Sequence, residues 1–590
     1  MEEKKNIWDL SHLLNGLSKE EIEKNIMNLS SQIKGLRDSL SDDILPSDLL
    51  EIIRKKEALG VFMRRLNTHL SMRFSENTKD PDVLAYNVKL SQLFTDIQND
   101  TMFFSLWFMN LSDSVATKLM NSNELKDYKY YLSRIREEKI HTMSEEVEKI
   151  INIKSETGGD VFADLYDLFT SSFRFEAFGK KDLVIEEITS NFQDYNPEIR
   201  EEAYDVLLSK FKDESTIIAE MYKNIVVDWD NESLKIRNYD SPIQVRNKSN
   251  QVSDETVKAL IDTVRKNVHV FQEYFKLKYE LNKRLGDTYA YSRYHVYAPV
   301  KSSEEKNYSY EDAKSIVLEL FKSFDEEFFL NAKKIFDMNH VHSHPAPYKR
   351  SGAFCSSPFP DMEPYILLNH TGKLRDVYTM AHEFGHGIHG IFASDQNFMN
   401  YDEPLVMAET ASVFAEMLLT EKLLKDVSSD REKIAILARQ LHDEYATILR
   451  QVYFCVFEIF AHDNIKSGLT KDEIDKKYYA LLKEQFGDMQ IPEKFKHEWN
   501  YIPHIHHTPF YVYAYAWGNL MVLSLYKMYK EQGDAFIPKY KDILRAGGSD
   551  APENILKRAG IDIASEGFWQ KGMDQIKEQI SLLKKLSEKI

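Results

Sequence analysis

The sequence predicts a mainly α fold of two or more lobes, with a small β-sheet set beside a metal-binding helix. Three observations carry this. The chain has 590 residues, far more than one hydrophobic core serves, so several lobes are expected. Glycine (21) and proline (16) are scarce, and only three prolines, at 46, 81 and 197, precede position 242, which favours long uninterrupted helices. Hydrophobic residues at 43% and aromatics at 12% suit a large packed interior.

Taken in order, residues 7 to about 155 read as successive amphipathic helices. They are broken by polar stretches around Ser41-Asp42-Asp43 and Asn77-Thr78-Lys79-Asp80-Pro81. Gly158-Gly159 marks a further break. The alternation from Phe173 to Glu176, the turn residues Gly179-Lys180-Lys181 and the run Leu183-Val184-Ile185 predict a short hairpin. Helices resume at Asn196-Pro197, and a lobe boundary is expected near 200, giving an N-terminal lobe over 1–200 and a catalytic lobe over 201–590. Between 340 and 372 the composition shifts. Prolines 345, 347, 358, 360 and 364 punctuate two strand-like pieces, Gly352 to Ser356 and Pro364 to Asn369. A sheet edge at this place could pair with an extended peptide. His340, His342 and His344 are expected on a polar surface loop.

A formal charge of −18 argues against a nucleic-acid surface, which requires basic patches. Cys355 and Cys455 are the only thiols, so no disulfide framework is expected and a reducing compartment is the default. The start of the chain lacks an apolar signal segment, and no run approaches the ~18 apolar residues of a membrane span, so a soluble cytoplasmic protein is expected.

The decisive segment is His382-Glu383-Phe384-Gly385-His386, the His-Glu-x-x-His pattern of zinc hydrolases. Residues four apart on a helix lie one above the other, so both imidazoles can reach one zinc ion. Glu383 then projects toward the water bound there, as a general base. The metzincin pattern fails, because position 389 is His and position 392 is Phe. A new helix is expected over 403–416, with Asp402 as N-cap and Pro404 in its first turn. Glu409 and Glu416 lie seven apart on one face of it, in an otherwise apolar stretch. Burying such carboxylates is costly without a cation, so Glu409 is expected as third ligand and Glu416 as acceptor for a ligating imidazole. His389 is expected to be packed rather than ligating, since a catalytic zinc keeps one position open.

Further on, Thr508-Pro509 reads as an N-cap and first-turn pair opening a helix that runs to Gly533. On it Tyr511 and Tyr515 share a face and Tyr513 does not. Their phenols are candidates to stabilise the negative charge that develops on a carbonyl oxygen during amide hydrolysis.

These strings resemble the oligoendopeptidase F branch of the thimet oligopeptidase family. The resemblance rests on the segment 382–389, on Glu409 to Glu416, on Ile502-Pro503-His504 and on Pro509 to Tyr513. It is extended by Lys349 to Phe354, Ala546-Gly547-Gly548-Ser549 and Asn196 to Arg200, and it spans roughly 110–585. It implies a helical ellipsoid of two lobes around a deep channel, with one zinc per chain at its floor held by His382, His386 and Glu409. It implies an endopeptidase limited to oligopeptides, with Glu383 activating water, and His504 and a downstream tyrosine (Tyr511 or Tyr515) contacting the tetrahedral intermediate. Two departures stand out. His506 and His507 replace aromatic residues usual in relatives, and His295 stands where an acidic residue is commoner.

Two other readings compete with the endopeptidase. One is a carboxypeptidase or dipeptidyl carboxypeptidase, which needs a cation for the substrate's terminal carboxylate. The other is a helical binding scaffold with a structural zinc closed by four protein ligands.

Overall fold

The computed structural model describes residues 6–155, 157–300 and 306–590. Of the chain, 73% is helical, and strands among the described residues form only two small sheets. The helix boundaries follow local chemistry. Ser18 opens the helix Lys19–Gly35 with a reciprocal capping box to Glu21. The 31-residue helix Pro46–Glu76 starts with its proline in the first turn, where the missing N–H costs nothing. Asp80 and Asn196 cap the helices Pro81–Thr101 and Pro197–Asp213 by accepting backbone N–H bonds.

The chain divides into two compact units, each assembled from three stretches. The first comprises Met1–Ile140, Glu305–Lys422 and Gln532–Gly560; the second comprises His141–Glu304, Leu423–Glu531 and Ile561–Ile590. The single cut at 200 expected from sequence therefore does not follow these units. Apolar side chains distant in sequence draw the stretches together. In the first unit Trp8, Leu13 and Met72 share a core with Phe359, Met362, Tyr365 and Leu367.

In the second unit, β1 (Phe175–Ala177) and β2 (Lys180–Leu183) form the expected antiparallel hairpin. Its inner face joins Ile188, Leu207, Phe211 and Ile218 in one core. The first unit holds the other sheet, of β3 (Val341–His342), β4 (Phe354–Ser356) and β5 (Tyr365–Leu367). β5 is central, parallel to β3 and antiparallel to β4, with Cys355 opposite Ile366. β4 is thus an edge strand.

Three local expectations change. His340, His342 and His344 are buried rather than on a surface loop. His340 stacks on Tyr365 at 3.9 Å and His342 meets the Trp8 ring edge-on at 5.5 Å, so aromatic packing outweighs their polarity. The helix expected over 403–416 is two pieces, a 3₁₀ stretch Leu405–Thr410 and the helix Ser412–Asp426, with Asp402 making no cap. The helix expected from Thr508 begins at Tyr513 instead. A short helix Pro503–His507 ends at Thr508, and Phe510 takes a left-handed φ of 58° that no helix accommodates.

Candidate metal centre and substrate-contact residues

The helix Leu374–Ala393 carries the two histidines. Asp376 secures its start: one carboxylate oxygen accepts the backbone N–H of Thr371 at 2.7 Å and of Lys373 at 3.1 Å. The four-residue spacing then turns both imidazoles the same way, with their Nε2 atoms 3.1 Å apart. Glu409 arrives from the 3₁₀ stretch. Its Oε2 lies 3.5 Å from Nε2 of His382 and 3.6 Å from Nε2 of His386.

These three donor edges test whether a metal fits. Bonds of about 2.0–2.2 Å in tetrahedral arrangement separate donors by about 3.3–3.6 Å. The observed triangle matches that range closely on two edges and falls slightly inside it on the third. A single proton between two ring nitrogens and a carboxylate oxygen serves one pair of them well, whereas a cation satisfies all three at once. Among the described residues, His382, His386 and Glu409 are the one such cluster of potential ligands.

The surroundings orient the three side chains. Nδ1–H of His382 donates to Oε1 of Glu416 at 2.6 Å, which leaves Nε2 turned toward the cluster. His386 is oriented by a hydrogen bond to the Ala408 backbone. Ser412 donates its hydroxyl to Oε2 of Glu409 at 2.6 Å, holding that carboxylate from its own helix start.

Electrostatics follow from this crowding. Burial opposes a charge on His382, but the hydrogen bond and charge of Glu416, with Glu409 and Glu383, outweigh it and raise the imidazole to about 9. Burial holds His386 down to about 4. Glu383, 7% exposed, is pushed up to about 7 by burial, against the pull of His382 and with help from the charges of Glu409 and Glu416. The backbone N–H of Cys355, on the edge strand β4, donates to the Glu383 carboxylate. A cavity of about 430 Å³ opens in front, lined by Phe354, Cys355, His382, Glu383, His386 and Tyr401. His389, as expected, is packed away from the cluster, 2% exposed.

The second unit gathers the other predicted residues. Tyr515 stands edge-on to both His504, at 5.8 Å between ring centres, and Tyr511, at 5.1 Å. Tyr511 sits in the turn before the helix, not on it, so the two phenols are brought together by that turn and not by a shared helical face. Burial, then the nearby charges of Arg450 and His507, keep His504 below the ordinary imidazole range. Tyr513 is fully buried and accepts a hydrogen bond from Asn250 at 2.9 Å. The atypical histidines are absorbed locally. His506 stacks on Tyr166 at 3.9 Å, and His507 bonds Asp167 at 2.8 Å. His295 lies between Arg200, at 3.3 Å from Nδ1, and Glu201, at 3.0 Å from Nε2.

A helical scaffold bearing a two-histidine, one-glutamate cluster with a buried carboxylate beside it defines a class, that of helical hydrolases built for a metal ion. The particular family follows from comparison. The chain belongs to peptidase family M3, whose family model matches residues 192–575, and residues 107–175 match the model described as oligopeptidase F. Oligopeptidase PepF of Bacillus subtilis is 26% identical over 577 residues, covering 96% of this chain and 84% of the relative. An oligoendopeptidase F homolog of Borreliella burgdorferi is 28% identical, covering 98% of each. Among solved structures, a candidate peptidase from Chlamydophila abortus superposes with a TM-score of 0.89 at 26% identity, covering 98% of each chain. The oligoendopeptidase-F of Enterococcus faecium shares the fold, with a TM-score of 0.70 at 21% identity over 97% of this chain and 98% of that one. The chain is therefore a hydrolase of peptide bonds, and the mainly α fold read from its sequence is the fold of its relatives. Among the described residues, no helix is long and apolar enough to cross a membrane.

Proposed function

We propose that this protein is a zinc-dependent endopeptidase acting on internal bonds of oligopeptides. The observation that carries the reading is the closed triangle of His382, His386 and Glu409 donors with Glu383 buried next to it. His382, His386 and Glu409 would hold the zinc, which when bound lowers the pKa of water and polarises a carbonyl. Glu383 is the base. It takes one proton from the attacking water as oxygen bonds to the scissile carbonyl carbon, and passes it to the amine as the C–N bond breaks. Its elevated proton affinity suits both halves of that task near neutral pH. His504 with Tyr511 or Tyr515 is assigned to the carbonyl oxygen as neutral donors, a role worth about a hundredfold in rate for each donor. The open edge of β4 is offered to substrate main chain.

Mass spectrometry of a peptide mixture digested with and without chelator tests the reading. Chelator-sensitive internal cleavage is expected, including of a blocked, C-terminally amidated peptide. Glu383→Gln should stop turnover while metal content stays near one equivalent; wild-type-like rates in that variant would refute the base assignment.

A further inference from the structure

The helix Arg450–Asn464 begins immediately after a π-helical stretch, Tyr445–Leu449, a widened turn often found at functional sites. Its first residue, Arg450, has no hydrogen-bond acceptor and no ion-pair partner among the described residues. Its guanidinium rests instead on aromatic faces, 4.8 Å from the Phe454 ring centre and 6.0 Å from that of Tyr297. The Tyr297 ring carries a second guanidinium, that of Arg293, at 5.7 Å.

Local charge does not balance. Glu498 is the acid whose charge reaches Arg450, but its two oxygens are engaged elsewhere, by Arg293 at 2.7 Å and by the Tyr478 hydroxyl at 3.0 Å. His442, edge-on to Tyr297 at 4.8 Å, is held neutral by burial and by Lys278, Arg439 and Arg450. Unpartnered donors surround the same ring. The hydroxyls of Tyr297 and Tyr445 and Nε of Arg293 are all buried without a protein acceptor. The two tyrosine rings lie 6.1 Å apart, and Tyr445 is 0% exposed. Three buried polar groups left without a protein partner beside an unpaired guanidinium are costly to keep unless a polar ligand completes them, and an anion suits the positive side of that group.

From the grouping of Arg450, Arg293 and Tyr445 around the Tyr297 ring we infer an anion subsite that takes a carboxylate of the oligopeptide substrate. Arg450 keeps part of its surface exposed, and its planar fork suits a carboxylate. The subsite belongs to the same unit as His504, whose charge Arg450 already influences. The inference rests on the oligopeptidase reading and adds to it a preference for acidic peptides. It is distinct from exopeptidase action, because the subsite binds a carboxylate without dictating which bond is cut.

The test uses three peptides of one sequence: a C-terminal free acid, its amide, and the amide with one internal Gln replaced by Glu. Each is digested by wild type, R450Q and R450K in chloride-free buffer, then with added chloride at constant ionic strength. The expected result is at least about tenfold higher kcat/KM for an acid form over the plain amide in wild type. That ratio should fall toward one in R450Q and be partly kept in R450K. It is read within each variant, so a general loss of activity cannot mimic it. Preference for the free acid places a terminal carboxylate in the subsite; preference for the internal Glu places a side chain there. Equal rates that rise with chloride, in wild type but not R450Q, assign it to a free anion. If wild type cleaves all three equally and ignores chloride, the subsite inference is overturned while the peptidase reading stands. If wild type cleaves none, the peptidase reading itself fails.

Discussion

Glu416 holds His382 by the nitrogen turned away from His386 and Glu409, with Oε1 2.6 Å from Nδ1. A carboxylate in that position fixes the ring tautomer and orientation and makes the other nitrogen a stronger ligand. Removing such a partner typically costs about 10–100-fold in metal affinity. Glu416→Ala should show a loss of that size in competition titrations against a chelator, and Glu416→Gln a smaller one. An unchanged affinity in the alanine variant would leave Glu416 without a role at the metal.

Gly385 is required by a second contact. A β-carbon there would meet the Ala411 carbonyl oxygen and the Ser412 Cα, each at 2.6 Å, both rigid backbone. The segment that carries Glu409 crosses the histidine helix at this glycine, which is what brings the third donor close enough. Gly385→Ala should push that segment away by some tenths of an ångström or more and lower metal affinity at least about tenfold, with helical content intact. Circular dichroism and metal analysis on one sample check this; full metal loading at limiting zinc would contradict it.

The three tyrosines should separate kinetically. Tyr511→Phe and Tyr515→Phe remove candidate donors to the carbonyl oxygen and should depress kcat by up to about a hundredfold, with little change in KM. Tyr513→Phe removes a buried acceptor of Asn250 and should instead cost about 1–2 kcal/mol of stability, with kcat near wild type. If Tyr511→Phe and Tyr515→Phe both keep wild-type kcat, the phenols serve packing alone.

Two buried carboxyls in the second unit predict a pH dependence of stability. Burial pushes Glu444 and Glu458 each up to about 8, from about 4.5 when unfolded. Glu444 accepts from Gln579 at 2.9 Å, and Glu458 from the Phe510 backbone N–H at 2.8 Å. Between those values the native state holds a proton that the unfolded chain has released, so the unfolded state binds fewer protons. Stability should therefore fall as pH rises from about 5 through 8 and level off above it, by a few kcal/mol at most per group. Denaturant melts of wild type and of the Glu444→Gln, Glu458→Gln double variant across pH 5–9 check the slope. A double variant as steep as wild type would remove these carboxyls as its cause.

The sequence by itself determined the helical class, the hairpin at 173–188, the strands flanking Pro358 to Pro364 and the grouping of His382, His386 and Glu409 as potential ligands. Those features are written in local rules: four-residue spacing on a helix, proline and glycine punctuation, and carboxylates costly to bury alone. Tertiary structure decided what local rules cannot reach. The break of the 403–416 segment into two pieces comes from its close crossing over Gly385. The burial of His340, His342 and His344 comes from aromatic partners far along the chain, Trp8 among them, and the late helix start at Tyr513 from the left-handed turn at Phe510. The division into two interleaved units, and the unpaired Arg450 among orphan phenols, arise from contacts between residues a hundred or more positions apart. No periodicity in the sequence encodes which distant side chains share a core, because that choice is made by the packing of whole faces against one another.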